Sequence, residues 1–389
     1  MNHTFGTLEF ARYRLLLRAQ DEISLPPYKG SAFRGGFGHA LKRVACFNRG
    51  AECSECSCRH NCVYSRVFES PVPADANLAS LNTYAPHPFV IEPGLDPKLN
   101  YKPGETLDVH LVLIGTGIEY LPHFLVAFDE LGAWGIGRRT EGNLADMMGL
   151  SRSRPRTGRG RYRLEAAWHV GPWGERPVYT GAKRMLLDPG ESLTWEVLSS
   201  TVNNDATKIE LEFLTPVRIK EQGRLVSQLQ FATLFRALFR RLSALAGLYC
   251  AASINGSSPA YSGTPPQIRS DRLNRVGMTI DGNPLHATRS DDPESPRVSI
   301  NRMVMGKDAL RLVENARNVT IENSDLHWHD WERYSQRQQT RMKLGGVLGH
   351  VVYAGPLRQF MPYLLLGEYV HVGKNTSFGL GQMRLRRVS

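Results

Sequence analysis

No apolar run in this 389-residue chain is long enough to span a bilayer, which takes about 20 such residues, so a membrane is not an expected partner. Residues 1–11 lack a basic stretch followed by an apolar one, so export is not expected either. There is no Gly-x-Ser-x-Gly elbow and no His-Glu-x-x-His pair, and no cluster of carboxylates suited to two-metal chemistry. Negative charge is in short supply. The 37 Asp and Glu face 48 Lys and Arg, a formal charge of +11, which favours a polyanionic partner such as nucleic acid. What is present suffices for ordinary cores: 41% of residues are hydrophobic, over a length that fits two domains.

Cysteine is scarce except in one place. Five of the six lie between 46 and 62, a crowding that in a reducing compartment suggests a metal more than disulfides. Cys53 and Cys56 form a Cys-x-x-Cys knuckle, and Cys46 and Cys62 can complete four thiolates, leaving Cys58 and His60 as spares. A closed structural zinc site is the first expectation and an iron–sulfur cluster the second. Unliganded thiols remain a third reading.

Residues 7–18 alternate in the manner of a strand that Pro26 and Pro27 end, and a helix is expected over 31–46. Phe33, Phe37, Leu41 and Val44 form its apolar stripe, which puts His39 and Lys42 on the opposite side with Gly35 and Gly36. Those glycines would open that face to a close ligand. His39 on such a face is either a solvated surface histidine or a functional one. Strands are expected at 88–92 and 106–114, a helix at 120–131 and a further strand from Tyr162. Eight arginines between 138 and 163, against Glu141 and Asp146, make a solvated loop or a clamp on phosphates.

The order strand–helix–strand–strand–helix–strand is that of a ferredoxin-like unit. After a mixed stretch at 171–206 it recurs: a strand around Ile209, Leu211 and Phe213, a helix over 226–249, a Ser/Gly/Pro/Asp-rich insertion at 251–302, a helical stretch at 307–316, strands at 326–334 and 343–353, and a short helix from about 357. The expected fold is therefore α+β: two tandem ferredoxin-like (RRM-like) domains. The first is 1–170 with a cysteine-rich metal-binding insertion at 46–64, 171–206 connects, and the second is 207–389. His327 and His329 could share a strand face as metal ligands, but no partner ligands lie near in sequence, and polar residues on a strand are the preferred reading. Arg333 and Arg337 begin a positive surface.

Residues 367–381 carry glycines at 367, 373, 379 and 381, with His371, Lys374, Thr376, Ser377 and Phe378 between them. This is neither a P-loop nor a dinucleotide fingerprint. Two readings stay open: a glycine-rich hairpin, or a loop whose backbone N–H groups approach phosphates, with Lys374 and Ser377 adding contacts and Phe378 a stacking face.

Four stretches together resemble the CRISPR precursor-RNA-processing endoribonucleases of the RAMP superfamily. They are 28–42 running into the cysteines and 64–69, 211–220 with the helix after it, 331–338 leading to Gly345 and Gly346, and the glycine loop. The resemblance implies two ferredoxin-like domains side by side with RNA in the groove between them. Arg34, Arg333, Arg337 and the loop residues Gly367, His371, Gly373, Lys374, Ser377, Phe378, Gly379 and Gly381 would then contact RNA. It implies cleavage of the CRISPR repeat without a catalytic cofactor, by attack of a 2′-hydroxyl that leaves a 2′,3′-cyclic phosphate and a 5′-hydroxyl. Precursor and mature CRISPR RNA are the implied partners, with a CRISPR effector complex as a further one, in a prokaryotic cytoplasm. His39 is the first candidate for proton transfer because imidazole titrates near neutrality, with Lys42 and Tyr28 stabilising charge or positioning; His371 is the second candidate. The rival reading is a non-catalytic RNA-binding subunit of an effector complex.

Overall fold

The computed structural model describes residues 8–48, 51–59, 61–70, 85–139, 158–200, 206–250, 279–280, 283–284, 307–335 and 340–387. Its first half runs β1 (Glu9–Ala19), α1 (Gly30–Ala45), β2 (Phe89–Pro93), β3 (Thr106–Ile114), α2 (Leu121–Trp134) and β4 (Tyr162–Gly171). The strands order as β4–β1–β3–β2, all antiparallel, with β5 (Gly174–Thr180) added outside β4. Along β1, Tyr13, Leu15 and Leu17 are buried in a core with Phe33, Phe37 and Leu41 of α1 and Phe124 and Phe128 of α2. The intervening Arg12, Arg14 and Arg18 point the other way, and each is held by carboxylates at 2.6–3.0 Å: Glu92, Asp108 with Glu175, and Glu165. These three arginines are thus engaged within the protein.

The second half runs β6 (Lys208–Val217), α3 (Phe231–Tyr249), β7 (Thr320–His329), β8 (Gly346–Ala354), α4 (Met361–Val370) and β9 (Met383–Arg387). Its antiparallel sheet orders as β7–β8–β6–β9, the arrangement of the first half again. α3 begins at Phe231, five residues later than the expected 226, because Lys220–Glu221 and Arg224–Leu225 pair as a tight hairpin before it. Gln222 and Gly223 both take positive φ there (49° and 82°), as a two-residue primed turn requires. β7 starts at Thr320, six residues before the expected strand, because its sequence reads polar: nearly every residue is exposed at this edge of the sheet. Glu332–Ser335 and Thr340–Lys343 form a separate hairpin instead of extending β7 and β8.

The stretch 171–206 does more than connect. Besides β5, its Leu193–Thr194 pairs with Glu9–Phe10, and the helix Trp195–Ser200 sets Trp195 against Tyr363 of α4, ring centroids 4.9 Å apart. The second core also takes Leu8, Phe10, Val90, Val112 and Ile114 from the first half. The halves therefore share apolar contacts and are not two beads on a tether. Among the described residues no helix is long and apolar enough to cross a membrane. Of the 251–302 insertion, only Thr279–Ile280 and Asn283–Pro284 lie within the described residues.

The cysteine-rich insertion departs from expectation. Cys46 caps α1 and its thiol donates to the Asn48 carbonyl at 3.3 Å. Cys53 and Cys62 lie partly buried against the first core, and Cys58 is exposed. Burial raises the Cys53 and Cys62 thiols, and nearby thiols, Cys46 beside both and Cys56 beside Cys62, raise them further. Yet among the described residues no three or more His, Cys, Asp or Glu are arranged to hold a metal ion, and the expected four-thiolate site is not assembled. The donor chemistry suits zinc; the arrangement would have to tighten around it.

Candidate nucleic-acid interface and active site

The α1 stripe of Phe33, Phe37, Leu41 and Val44 is buried and His39 is exposed, as the helical phase requires. With no acidic residue in its first turn, the helix carries Lys42 and Arg43 in its last, where cations complement the dipole. Arg43 lies one turn beyond His39. It meets Glu130 of α2 at 3.2 Å and lies over the Trp134 ring at 3.6 Å, while the Trp134 indole donates to Glu130 at 3.2 Å. Trp134 remains 41% exposed. Gly135 ends α2 with φ 87°, and a Cβ there would stand 2.6 Å from the Arg159 carbonyl. The next residues, Ile136 and Gly160, form a bridge. That crossing sets Arg159 beside the end of α2, with its Nε buried and without a hydrogen-bond partner among the described residues.

His39 thus faces Lys42, Arg43 and Arg159. Partial burial first, and then these three cations, hold its imidazole below the usual range. It is therefore neutral near pH 7, with a lone pair to accept a proton. The Lys42 ammonium rests 5.6 Å above the Tyr64 ring. The glycines of this helix are not equivalent. Among the described residues Gly35 is open, as expected, but Gly36 receives Leu131 of α2 and does not open the face; Gly38 receives Phe68.

Tyr28 is not part of this group. It precedes the N-terminus of α1, and His39 lies nine residues into the helix, about 14 Å along its axis. The Tyr28 hydroxyl donates to the Phe378 carbonyl at 2.7 Å, and its ring packs on Trp331 at 4.9 Å. Burial pushes this phenol well above its usual range, which keeps it a neutral tether for the glycine loop.

The loop itself corrects several expectations. Gly367 lies inside α4, against Met383 and Leu238. Gly373, Gly379 and Gly381 take positive φ and approach protein backbone: Arg218, Ile91 and Val372 respectively. The N–H groups of Val372, Lys374, Phe378, Gly379 and Gly381 all donate to protein carbonyls at 2.8–3.1 Å, so they are not available to phosphates. Ser377 is buried, and Phe378 lies under the Arg34 guanidinium at 4.8 Å, with Phe68 on Arg34 at 4.0 Å. Arg34 also meets His87 at 3.0 Å. Of the loop residues expected on RNA, Lys374 alone is exposed. Arg333 lies in a hairpin strand, and Arg337 falls outside the described residues.

His371 is fully buried at φ 62°. Its Nε2 meets Glu92 of β2 at 2.9 Å and its Nδ1 the Leu380 carbonyl at 3.2 Å, while Arg12 of β1 holds the other Glu92 oxygen at 2.6 Å. Burial alone would raise the Glu92 carboxyl, but Arg12 and then His371 outweigh it and draw it down to about 2. This Arg12–Glu92–His371 chain fastens the second half to the first and leaves the imidazole no route to a substrate. Sequence reading missed it because residues 12, 92 and 371 share no local pattern. It named Arg159 only as one of the eight arginines of the 138–163 run, and it did not single out Arg43, inside the expected helix 31–46, or Trp134, beyond the expected helix 120–131.

Comparison with known proteins adds the following. The profile of the family described as "CRISPR-associated endoribonuclease Cas6" matches residues 211–383, and a profile described as an N-terminal domain matches residues 8–191. An uncharacterised protein of Archaeoglobus fulgidus is 27% identical over 115 residues, which are 30% of this chain and 38% of that protein's length. Among solved structures, a Cas6 product complex aligns at 15% identity and TM-score 0.48, covering 97% of this chain and 99% of the other. Thermus thermophilus Cas6 aligns at 14% and 0.44 with the same coverage. A Cas6-RT-Cas1–Cas2 complex aligns at 13% and 0.45, over 98% of this chain and 29% of that one.

Proposed function

Because the chain belongs, through residues 211–383, to the family of CRISPR-associated endoribonucleases of the Cas6 type, we propose that it matures CRISPR RNA by binding and cutting the repeats of the precursor transcript. The two halves are read as tandem ferredoxin-like domains. The observation that carries the catalytic reading is His39, exposed on α1 among Lys42, Arg43 and Arg159. A neutral imidazole can take the proton of a ribose 2′-hydroxyl as its oxygen attacks the adjacent phosphorus. The bond to the 5′-oxygen of the next nucleotide breaks, leaving a 2′,3′-cyclic phosphate and, once that oxygen is protonated, a 5′-hydroxyl. Lys42 and Arg159 supply positive charge to the phosphate oxygens as charge develops there. A bound phosphate also offsets the cations that depress His39, so its basicity rises once substrate is in place. Trp134, stiffened by Arg43, offers a face for a flanking base.

In this reading the reaction needs no metal. Single-turnover cleavage of repeat RNA should persist in EDTA, yield a cyclic phosphate end, and stop when the attacking 2′-hydroxyl is replaced by hydrogen. Binding without any cut would favour the non-catalytic subunit instead. Cys46, Cys53, Cys56 and Cys62 are proposed to hold one structural zinc, bracing the C-terminal end of α1. Elemental analysis should find about one equivalent per chain. Iron with acid-labile sulfide would point to a cluster, and neither metal would remove the site.

A further inference from the structure

A second concentration of positive charge lies away from His39. The hairpin at 220–225 and the outer face of α3 enclose a groove lined by Lys220, Glu221, Arg236 and Arg240, with Ile219 and Ala237 its apolar side chains among the described residues. The glycine loop adds to it from a third direction: Lys374 N–H donates to the Arg218 carbonyl at 2.9 Å, beside the Gly373–Arg218 bridge. The Lys374 ammonium is lowered by burial and then by Lys220, Arg218 and Arg240, so these cations crowd one another. Glu221 engages Arg236 at 3.4 Å; among the described residues, Lys220, Arg240 and Lys374 have no ion-pair partner. Five cations against one carboxylate is a repulsive arrangement that a bound polyanion would relieve.

We infer that this groove is a second RNA site, one that grips the ribose-phosphate backbone of the transcript outside the segment held at His39 and does so without reading sequence. Arg236 and Arg240 lie one helical turn apart, about 6 Å, and present two guanidinium forks along one line. Among the described residues no aromatic side chain lines the groove, so these residues offer bases no stacking platform. The tight turn at Gln222–Gly223 fixes the hairpin that carries Lys220, and α3 is anchored by a fully buried apolar stripe. The backbone that carries these cations is therefore set before any ligand arrives.

The inference rests on the proposed RNA-processing role, and one experiment separates the two. Repeat RNA with a single-stranded extension, and the same repeat trimmed, are titrated by fluorescence anisotropy at several salt concentrations. The proteins are the full-length wild type and a Lys220→Gln, Arg240→Gln double variant. Both side chains are exposed, so the melting temperature should not move. The variant should bind extended RNA about tenfold more weakly, with the salt slope reduced by about 1.4 for two lost single-strand phosphate contacts. The loss should be equal for extensions of unrelated sequence, absent for trimmed RNA, and visible in KM with kcat kept. Unchanged affinity and slope for extended RNA would overturn the inference. So would loss of poly-glutamate binding with RNA binding intact, which would make the groove a dock for an acidic protein. Wild type that binds RNA through the groove but never cuts it would defeat the catalytic reading and leave this one standing. No RNA binding at all would end both.

Discussion

Two histidines divide the molecule between them. His39 lies on an exposed helical face where, among the described residues, three cations and no carboxylate act on it; His371 is sealed between the halves with Glu92 and Arg12. The same side chain is the proposed proton carrier in one place and a structural pin in the other. What differs is access and the sign of the surrounding charge. Cations beside an exposed imidazole keep it neutral and draw a phosphate toward it. A buried carboxylate beside an imidazole satisfies it and admits nothing else.

The largest effect should fall on the pin. Glu92→Gln removes the charge that Arg12 and His371 share, and is expected to cost about 3 kcal/mol of stability, at the low end for a broken buried pair because Arg12 is partly exposed. Denaturant melts measure this directly, and a loss below about 0.5 kcal/mol would show that this buried chain contributes little to holding the halves together. The pH dependence has a definite sign. The folded Glu92 value, about 2, lies below its ordinary 4.5, so the stabilisation is fully present above pH 4.5 and is lost as pH falls from there toward 2. Wild type should lose stability across that window, and Glu92→Gln should lose less.

Next comes the chemistry. His39→Ala should slow single-turnover cleavage about a hundredfold or more, equivalent to about 2.7 kcal/mol of barrier, with repeat affinity and melting temperature kept. His371→Ala should do the reverse. Loss of cleavage in a stably folded His371→Ala, with His39→Ala fully active, would exchange their roles. Because the His39 imidazole lies below 6.5, kcat/KM should hold down to pH 6.5 and fall at a more acidic value, where the base becomes protonated. A midpoint above 6.5 would assign that step to another group.

Arg159→Ala should slow cleavage about tenfold, the scale of one charged hydrogen bond to phosphate, without altering stability. An unchanged rate would make Arg159 a bystander to His39. The smallest effect concerns Gly35. A Cβ there meets nothing within 4 Å, so Gly35→Ala should stabilise α1 by about 0.5–1 kcal/mol. If that variant is also slower to cleave, the open position serves the approach of RNA.

Periodicity alone located α1 and put His39 on its polar face, since a stripe at steps of four, four and three leaves one phase for the rest. It also gave the recurring order of strands and helices in both halves, because alternation and helical stripes are local properties of a chain. Glycine spacing in 367–381 was equally plain, but spacing does not say what a glycine approaches. Only the tertiary packing set Gly373, Gly379 and Gly381 against the backbone of Arg218, Ile91 and Val372, buried Ser377 and Phe378, and left Lys374 at the surface. Likewise no local pattern joins Arg12 to Glu92 and His371, or brings Arg159 from beyond α2 to the face of α1. Those contacts link residues far apart in the chain, and their existence depends on how the sheets and helices close on one another.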